Sequence, residues 1–303
     1  MNKVVITGSN GLLGQKLVKL LSSKDDFEVF ALSKGKNRLL KPEGYAYYSI
    51  DLLDGEKLTA LLDEILPHYI IHTAAMTNVD ACELDKVTCD RMNVDMLKPL
   101  VSFCAITGAH LIHLSTDFIF DGLKGSVYTE ADAPNPVNYY GLSKLKSEEM
   151  LANSKIDYSI LRTILVYGLV DNNDRSNIVL WVKRSLEQGK HINVVTDQLR
   201  MPTYAEDLAE ACWLIIAHKA KGIFNVSSSE LMSIYEIALA VADAFDLDQD
   251  LIHPVETSVL GLPADRPLST GFDLDKSANE INLPLYTFKE RLQVFKNQLS
   301  KYK

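Results

Sequence analysis

At 303 residues the chain is long enough to bury a substantial core in one large domain or two lobes. A net charge of -9, from 31 basic and 40 acidic residues, excludes the Lys- and Arg-rich surface that nucleic-acid binding draws on, and still allows a local basic pocket around one nucleotide. No apolar run approaches the roughly 20 residues of a membrane helix, and Met1 leads almost directly into a strand pattern without a signal-peptide segment, so a cytoplasmic protein with no membrane or nucleic-acid partner is expected.

The chain opens on Lys3-Val-Val-Ile-Thr-Gly8-Ser-Asn-Gly11-Leu-Leu-Gly14-Gln15. The β-branched residues Val4 to Thr7 predict a buried parallel strand, and the spacing of Leu12, Leu13, Leu17, Leu20 and Leu21 predicts the helix after it. Gly8 suits the tight turn between them. Gly11 lets backbone N–H groups approach a pyrophosphate at the helix N-terminus, and Gly14 lets helix and strand pack closely. A dinucleotide site follows, with a purely structural turn as the alternative.

Phe27 to Leu32 reads as the second strand. At its end, where an acidic residue would hold the ribose 2′-OH of NAD, stand Ser33, Lys34, Lys36 and Arg38. Hydroxyl and positive charge suit a 2′-phosphate, which favours NADPH over NADH; a solvated basic loop is the other reading. Tyr45 to Ile50 is a third strand, and Asp51 at its end is placed either to accept from an adenine amino group or to cap a helix over Gly55 to Leu66. Tyr69 to His72 is a fourth, running into Thr73-Ala74-Ala75, whose small side chains admit a cofactor. His72 reads as a satisfied neutral residue at a strand end.

One long helix is expected from about Lys86 to Thr107, then a fifth strand over His110 to Ser115. This alternation predicts an α/β fold with a Rossmann-type doubly wound parallel sheet, whose ligands bind at the carboxyl ends of the strands. Ser115-Thr116-Asp117 falls there. Tyr140 and Lys144, four apart on a helix running to about Ala152, share one face. A phenol with a reference pKa near 10 exchanges protons poorly at neutral pH; a neighbouring ammonium lowers it, so that Tyr140 can pass a proton to a carbonyl oxygen that Thr116 also hydrogen-bonds. Alone, Y-x-x-x-K reads as well as an aromatic packed beside a solvated lysine. With the glycine loop and the hydroxyl at the fifth strand end, it reads as one site.

Beyond Gly168 the pattern gives a polar loop over Asp171 to Asp174, a helix over Ile178 to Gln188 with Trp181 in the core, and a short strand over Asn193 to Thr196. A helix over Ala205 to His218 places Asp207 near its positive end, Gly222 to Val226 is a strand, and Ser233 caps a helix to Phe245. These pieces form a smaller, interleaved α/β substrate lobe. The expected division is 1–168 for the dinucleotide, with 196–226 returning to it, and 169–195 with 227–303 for the substrate. The loop Val259 to Pro267 carries Arg266, suited to a substrate pyrophosphate or to a surface salt bridge. The final helix, Thr287 to Leu299, has mixed charge and reads as a solvated surface element. Cys82, Cys89, Cys104 and Cys212 show no C-x-x-C and no metal spacing, and read as reduced packing residues.

Over nearly its full length the sequence resembles the dTDP-4-dehydrorhamnose reductase family of the extended short-chain dehydrogenase/reductases. The likeness is carried by Gly8 to Gly14 in the spacing G-x-x-G-x-x-G, Asp51-Leu52, Thr73 to Ala75, Val79 to Glu83, Asn93-Val94, Ser115 to Asp117 with Phe120 to Gly122, and Tyr140 to Lys144. Arg162, Val166 to Gly168, Pro202-Thr203 with Asp207 to Ala209, and Arg266-Pro267 before Asp273 and Lys276 continue it. The resemblance implies NADPH-dependent reduction of a nucleotide-linked 4-keto-6-deoxy sugar, dTDP-4-dehydro-L-rhamnose to dTDP-L-rhamnose. It implies catalytic roles for Thr116, Tyr140 and Lys144, and cofactor contacts at Gly8, Gly11, Leu12, Leu13, Gly14, Ser33, Lys34, Arg38, Asp51, Leu52, Thr73, Ala74, Ala75, Tyr140 and Lys144. Thr116 and Asp117 would touch the sugar. A homodimer stays open, and no ligand pattern demands the divalent ion found at a dimer contact among relatives.

Two departures bear on the substrate. Leu165 stands in the segment where the family carries a tryptophan expected to pack on the sugar, and Arg200 replaces a frequent glycine, as an added phosphate contact or a surface residue. A related dehydratase would need Asp-Glu after the threonine, and here Phe118 follows Asp117. An epimerase favours an acidic residue after the second strand. The regulatory β subunit of methionine adenosyltransferase is similar to the same family, keeps the three catalytic-type residues and lacks the tryptophan. A non-catalytic NADP-binding regulatory subunit is therefore the alternative.

Overall fold

The computed structural model describes residues 1–172 and 176–301, so Asn173 and Asp174 of the expected polar loop lie outside the described residues. The chain runs β1 (Asn2–Thr7), α1 (Leu12–Ser22), β2 (Phe27–Ser33), β3 (Tyr45–Ser49), α2 (Gly55–Ile65), β4 (Tyr69–His72), α3 (Val79–Leu84), α4 (Lys86–Asp90), α5 (Leu97–Thr107) and β5 (His110–Thr116). It continues with α6 (Tyr139–Ala152), β6 (Tyr158–Thr163), α7 (Ile178–Glu187), β7 (Ile192–Val195), β8 (Leu199–Arg200), α8 (Ala205–His218), β9 (Gly222–Val226), β10 (Met232–Ser233), α9 (Ile234–Ala244), β11 (Ile252–Val255), α10 (Asp275–Glu280) and α11 (Phe288–Lys301).

Seven strands form one parallel sheet in the order β3-β2-β1-β4-β5-β6-β9. Because side chains alternate along a strand, Val4 and Ile6 of β1 pack with α1 and α8 on one face, and Val5 packs with α2 and α5 on the other. Both faces are covered, which is why these strands read as continuous apolar runs. The strand order reverses between β1 and β4, and in such sheets the crevice outside that switch point takes the ligand. A second core joins α7, α9 and α11 to the two-stranded pair β7 and β11.

Several expectations are corrected. The helix expected from Lys86 to Thr107 is two helices joined by a π-helical turn, Arg91–Asp95, which turns Asn93 inward. Asp51 does not cap α2; Asp54 does, accepting from the Lys57 N–H. Trp181 is 37% exposed on the outer side of α7 rather than in the core. Conversely α11 is no solvated element, since Phe288, Leu292 and Phe295 are buried along one of its faces. Ser233 caps α9 as expected, in a reciprocal capping box with Glu236. All four cysteines are free and buried. No helix among the described residues is long and apolar enough to cross a membrane.

Candidate active site

The carboxyl ends of β1, β4, β5 and β6 open on a cavity of about 510 Å³. Gly11, Leu12 and Leu13 line it from the start of α1, Thr73 and Ala75 from the end of β4, Thr116 and Asp117 from the end of β5, Tyr140 and Lys144 from α6, and Leu165, Arg200 and Arg266 from later segments. Gly8 and Gly14 lie beneath that wall. Gly8 has φ +69°, and a Cβ on Gly14 would stand 2.3 Å from the Gly8 carbonyl, so strand and helix meet only through glycine here. The N-terminus of α1 fits an anionic group: Gly11 caps it without a side chain, and its first turn holds no acidic residue.

The remaining expected contacts sit outside the cavity. Leu52 is a core residue under α2 and Ala74 packs against the same core. Ser33 closes β2, and Lys34, Arg38 and Asp51 lie beyond the ends of β2 and β3, where Lys34 and Asp51, expected to make separate contacts, pair with each other at 2.8 Å. Both are exposed, so that pair is worth little and is readily exchanged for another partner. The loop is tied to the glycine turn by Asn10, which accepts from the Arg38 N–H and donates to the Lys36 carbonyl.

At the centre, Thr116 Oγ1 donates to Asp117 Oδ1 at 3.0 Å and accepts from the Phe118 N–H at 3.2 Å, and it lines the same cavity as the Tyr140 phenol. The expected lowering of the phenol by Lys144 is corrected: burial raises the Tyr140 pKa, and the Thr116 hydroxyl offsets only part of that rise. Tyr140 is thereby held as a neutral phenol. The Lys144 ammonium turns instead to His113, 3.0 Å away, and burial brings its pKa down to about 8.

The charges nearby are paired. Asp117 accepts from Thr270 Oγ1 at 2.5 Å and faces Arg200 Nε at 3.5 Å, each side chain being 3% exposed. Arg200 spends its other donors on the carbonyls of Leu199, Leu268 and Pro267 and on Gln198, so it is neither a surface residue nor a spare phosphate contact. Arg266 takes the salt-bridge alternative, gripping Asp80 through both nitrogens at 2.8 Å while still bordering the cavity. Buried Arg162 grips Glu148 in the same way. Leu165 holds the left-handed conformation, φ +43°, a strained one for a branched side chain.

Four groups had no role assigned from the sequence. Asn93 braces the loop after β4, accepting from the Met76 N–H at 2.8 Å and donating to Ser143 at 2.9 Å, while Cys82 and Cys89 crowd the same point. Asp80 and Thr270 are partners far away in sequence. His113 had one visible signal, a titratable residue inside an otherwise apolar parallel strand. His72 is only half satisfied: Nδ1 meets Thr7 Oγ1 at 2.8 Å, Nε2 has no partner, and burial lowers its pKa to about 3. Among the described residues no group of three or more His, Cys, Asp or Glu could hold a metal ion.

The chain is similar to methionine adenosyltransferase 2 subunit beta of Rattus norvegicus, 32% identical over 280 residues that cover 90% of this chain and 81% of the relative. It is 28% identical over 298 residues to the probable low-salt glycan biosynthesis reductase Agl14 of Haloferax volcanii, covering 98% of each. The crystal structure of dTDP-4-dehydrorhamnose reductase from Bacillus anthracis in complex with NADP superposes with a TM-score of 0.84 at 28% identity, covering 98% of this chain and 100% of that one. The family model described as RmlD substrate binding domain matches residues 1–301, and the chain accordingly belongs to the dTDP-4-dehydrorhamnose reductase family.

Proposed function

We propose that the protein is a cytoplasmic NADPH-dependent reductase of a nucleotide-linked 4-keto-6-deoxy sugar, with dTDP-4-dehydro-L-rhamnose as the first substrate to test. One observation carries this reading: a buried phenol shares a cavity with a lysine four residues on and with the Thr116 hydroxyl, beside the Gly8 to Gly14 turn. Reducing a ketone needs a proton donor at its oxygen; the buried phenol carries that proton, and releasing it needs the phenolate to be favoured by the nearby Lys144 ammonium once substrate is bound. The NADP complex of the Bacillus anthracis relative supports a nicotinamide coenzyme, with NADH as the alternative to NADPH.

When bound, the coenzyme supplies hydride to the keto carbon. The N–H groups of Gly11, Leu12 and Leu13 would hold its pyrophosphate, the backbone of Thr73, Ala74 and Ala75 would flank it, Ser33, Lys34 and Arg38 would hold the adenosine ribose, and Asp51 with the backbone of Leu52, whose side chain is in the core, would border adenine. Tyr140 gives its proton to the carbonyl oxygen, and the Lys144 ammonium steadies the phenolate left behind. Thr116 turns its hydroxyl to the same oxygen. Asp117, Leu165 and Arg266 border the sugar nucleotide, and Arg200 acts through Asp117. Residues 1–168 with 196–226 hold the dinucleotide, and 169–195 with 227–303 hold the substrate; a homodimer is compatible with this division.

The test is NADPH oxidation with a panel of nucleotide 4-keto sugars, run beside Tyr140→Phe. The variant is expected to lose about a thousandfold in kcat while still binding NADPH. Turnover that survives the replacement removes Tyr140 as the proton donor. The 32% identity to the rat adenosyltransferase subunit favours a second reading, a regulatory NADP-binding subunit. NADPH binding without turnover of any sugar, together with altered kinetics of an adenosyltransferase catalytic subunit on mixing, would establish that reading instead.

A further inference from the structure

Lys144 is 3% exposed and has no carboxylate partner among the described residues. Glu148, one turn further along α6, is occupied by Arg162, and Asp117 is occupied by Arg200. What meets the lysine is a histidine. Side-chain alternation turns Leu111, His113 and Ser115 of β5 towards α6, and helical spacing turns Lys144, Ser147 and Leu151 of α6 towards the sheet. Lys144 Nζ and Ser147 Oγ thereby converge on His113 Nε2 at 3.0 and 3.2 Å. The series extends across the sheet, since His113 is the register partner of His72, with ring centroids 5.6 Å apart, and His72 is the register partner of Thr7.

An ammonium has only donors, so Nε2 of His113 must accept from it and the ring proton must sit on Nδ1. Ser147 Oγ already donates to the Lys144 carbonyl at 2.7 Å and cannot compete for that lone pair. The arrangement leaves the Nδ1 proton buried without a partner, which is tolerable only if the contact at Nε2 compensates. A carboxylate here would cancel the lysine's charge. A neutral imidazole fixes the ammonium without supplying a counter-charge.

We propose that His113 is the positioning residue of Lys144: its neutral imidazole, locked as the Nδ1–H tautomer, holds the ammonium against α6 without a counter-charge. The proposal deepens the reductase reading and rests on it for its catalytic consequence. The titratable groups facing Lys144 are His113 from β5, His72 from β4, Cys89 from α4, and Tyr140 and Glu148 from α6 itself. Removing the acceptor disfavours the charged amine, so the Lys144 pKa falls further.

Two measurements test this. Two-bond ¹H–¹⁵N correlation of the histidine rings, assigned through the signals missing in His113→Gln, should show His113 as Nδ1–H in the wild-type protein. Lys144→Met should convert it to Nε2–H, donating to Ser147. An Nε2–H ring in the wild type, or a tautomer indifferent to Lys144→Met, overturns the proposal. In the reductase assay, His113→Leu should lower kcat about tenfold and move the alkaline limb of its pH profile about one unit lower, with KM for the sugar unchanged. His113→Gln, which keeps an acceptor, should restore both. Equal behaviour of the Leu and Gln variants also overturns it. If wild type reduces no sugar, the functional reading fails, and the tautomer measurement still decides the role of His113.

Discussion

Asp117 and Arg200 carry their charges into the protein interior, and each is the other's main compensation. Burial raises the Asp117 carboxyl and lowers the Arg200 guanidinium, while their mutual attraction and the Thr270 and Thr116 hydroxyls oppose this. Removing one member leaves the other charged and stranded. Asp117→Ala should therefore cost about 3 to 5 kcal/mol in urea unfolding, and Asp117→Leu with Arg200→Met should cost much less than the two single changes together. Additive losses would mean that the pair does not compensate itself. None of this was visible in the motif Ser115-Thr116-Asp117, because Arg200 and Thr270 arrive from segments distant in sequence. Arg200 looked like a surface or phosphate residue because, although Leu199 and Met201 flank it, nothing in the local sequence shows the buried carboxylate and carbonyls that meet it.

At the scale of elements, α6 delivers Tyr140 and Lys144, and it can do so only by touching the turn after β5. A Cβ on Gly141 would stand 2.0 Å from the Phe118 carbonyl oxygen, while Asn138 caps the helix by accepting from the Gly141 N–H. Gly141→Ala should destabilise the protein by about 1 to 3 kcal/mol and reduce turnover, since the turn it displaces carries Thr116. Gly55→Ala is the control. There the nearest atom is 3.9 Å away, and alanine is the better helix former, so a neutral or mildly stabilising effect is expected. A loss equal to that of Gly141→Ala would deny the close approach its role. The π-helical turn at Arg91–Asp95 belongs to the same scale. Its extra residue per turn rotates Asn93 onto Met76 and Ser143, and no local propensity distinguishes such a turn from the straight helix that the periodicity suggested.

Across the whole molecule, buried histidines link stability to acid. His72 and His110 are neutral when folded, because burial lowers their pKa values to about 3 and about 4. Both lie below the unfolded value, so the unfolded chain binds more protons, and stability falls as pH drops below about 6.5; at pH 5 each costs about 2 kcal/mol. Asp207 works in the opposite direction, its pKa raised by burial to about 6 despite Arg291, so its contribution is present at low pH and lost as pH rises through about 6. The discriminating measurement is the difference between wild type and His72→Asn in urea midpoint from pH 7 to pH 5. The variant should show the shallower decline, and parallel declines would mean that His72 is protonated in the folded protein.

Although it did not show β6, which sits between β5 and β9, the sequence by itself determined the doubly wound α/β class, most of its strands and helices, the glycine turn and the placing of Thr116, Tyr140 and Lys144 along one rim. These follow from local signals: β-branched runs, helical spacing, and glycines where no Cβ fits. The tertiary structure alone decided which charges are cancelled and which proton sits where. Lys34 found Asp51, Arg266 found Asp80, Arg200 found Asp117, and Lys144 found His113. Partners of charges are chosen by three-dimensional proximity, and for the buried ones among these the desolvation that fixes protonation is a property of the assembled core that no short stretch of chain possesses.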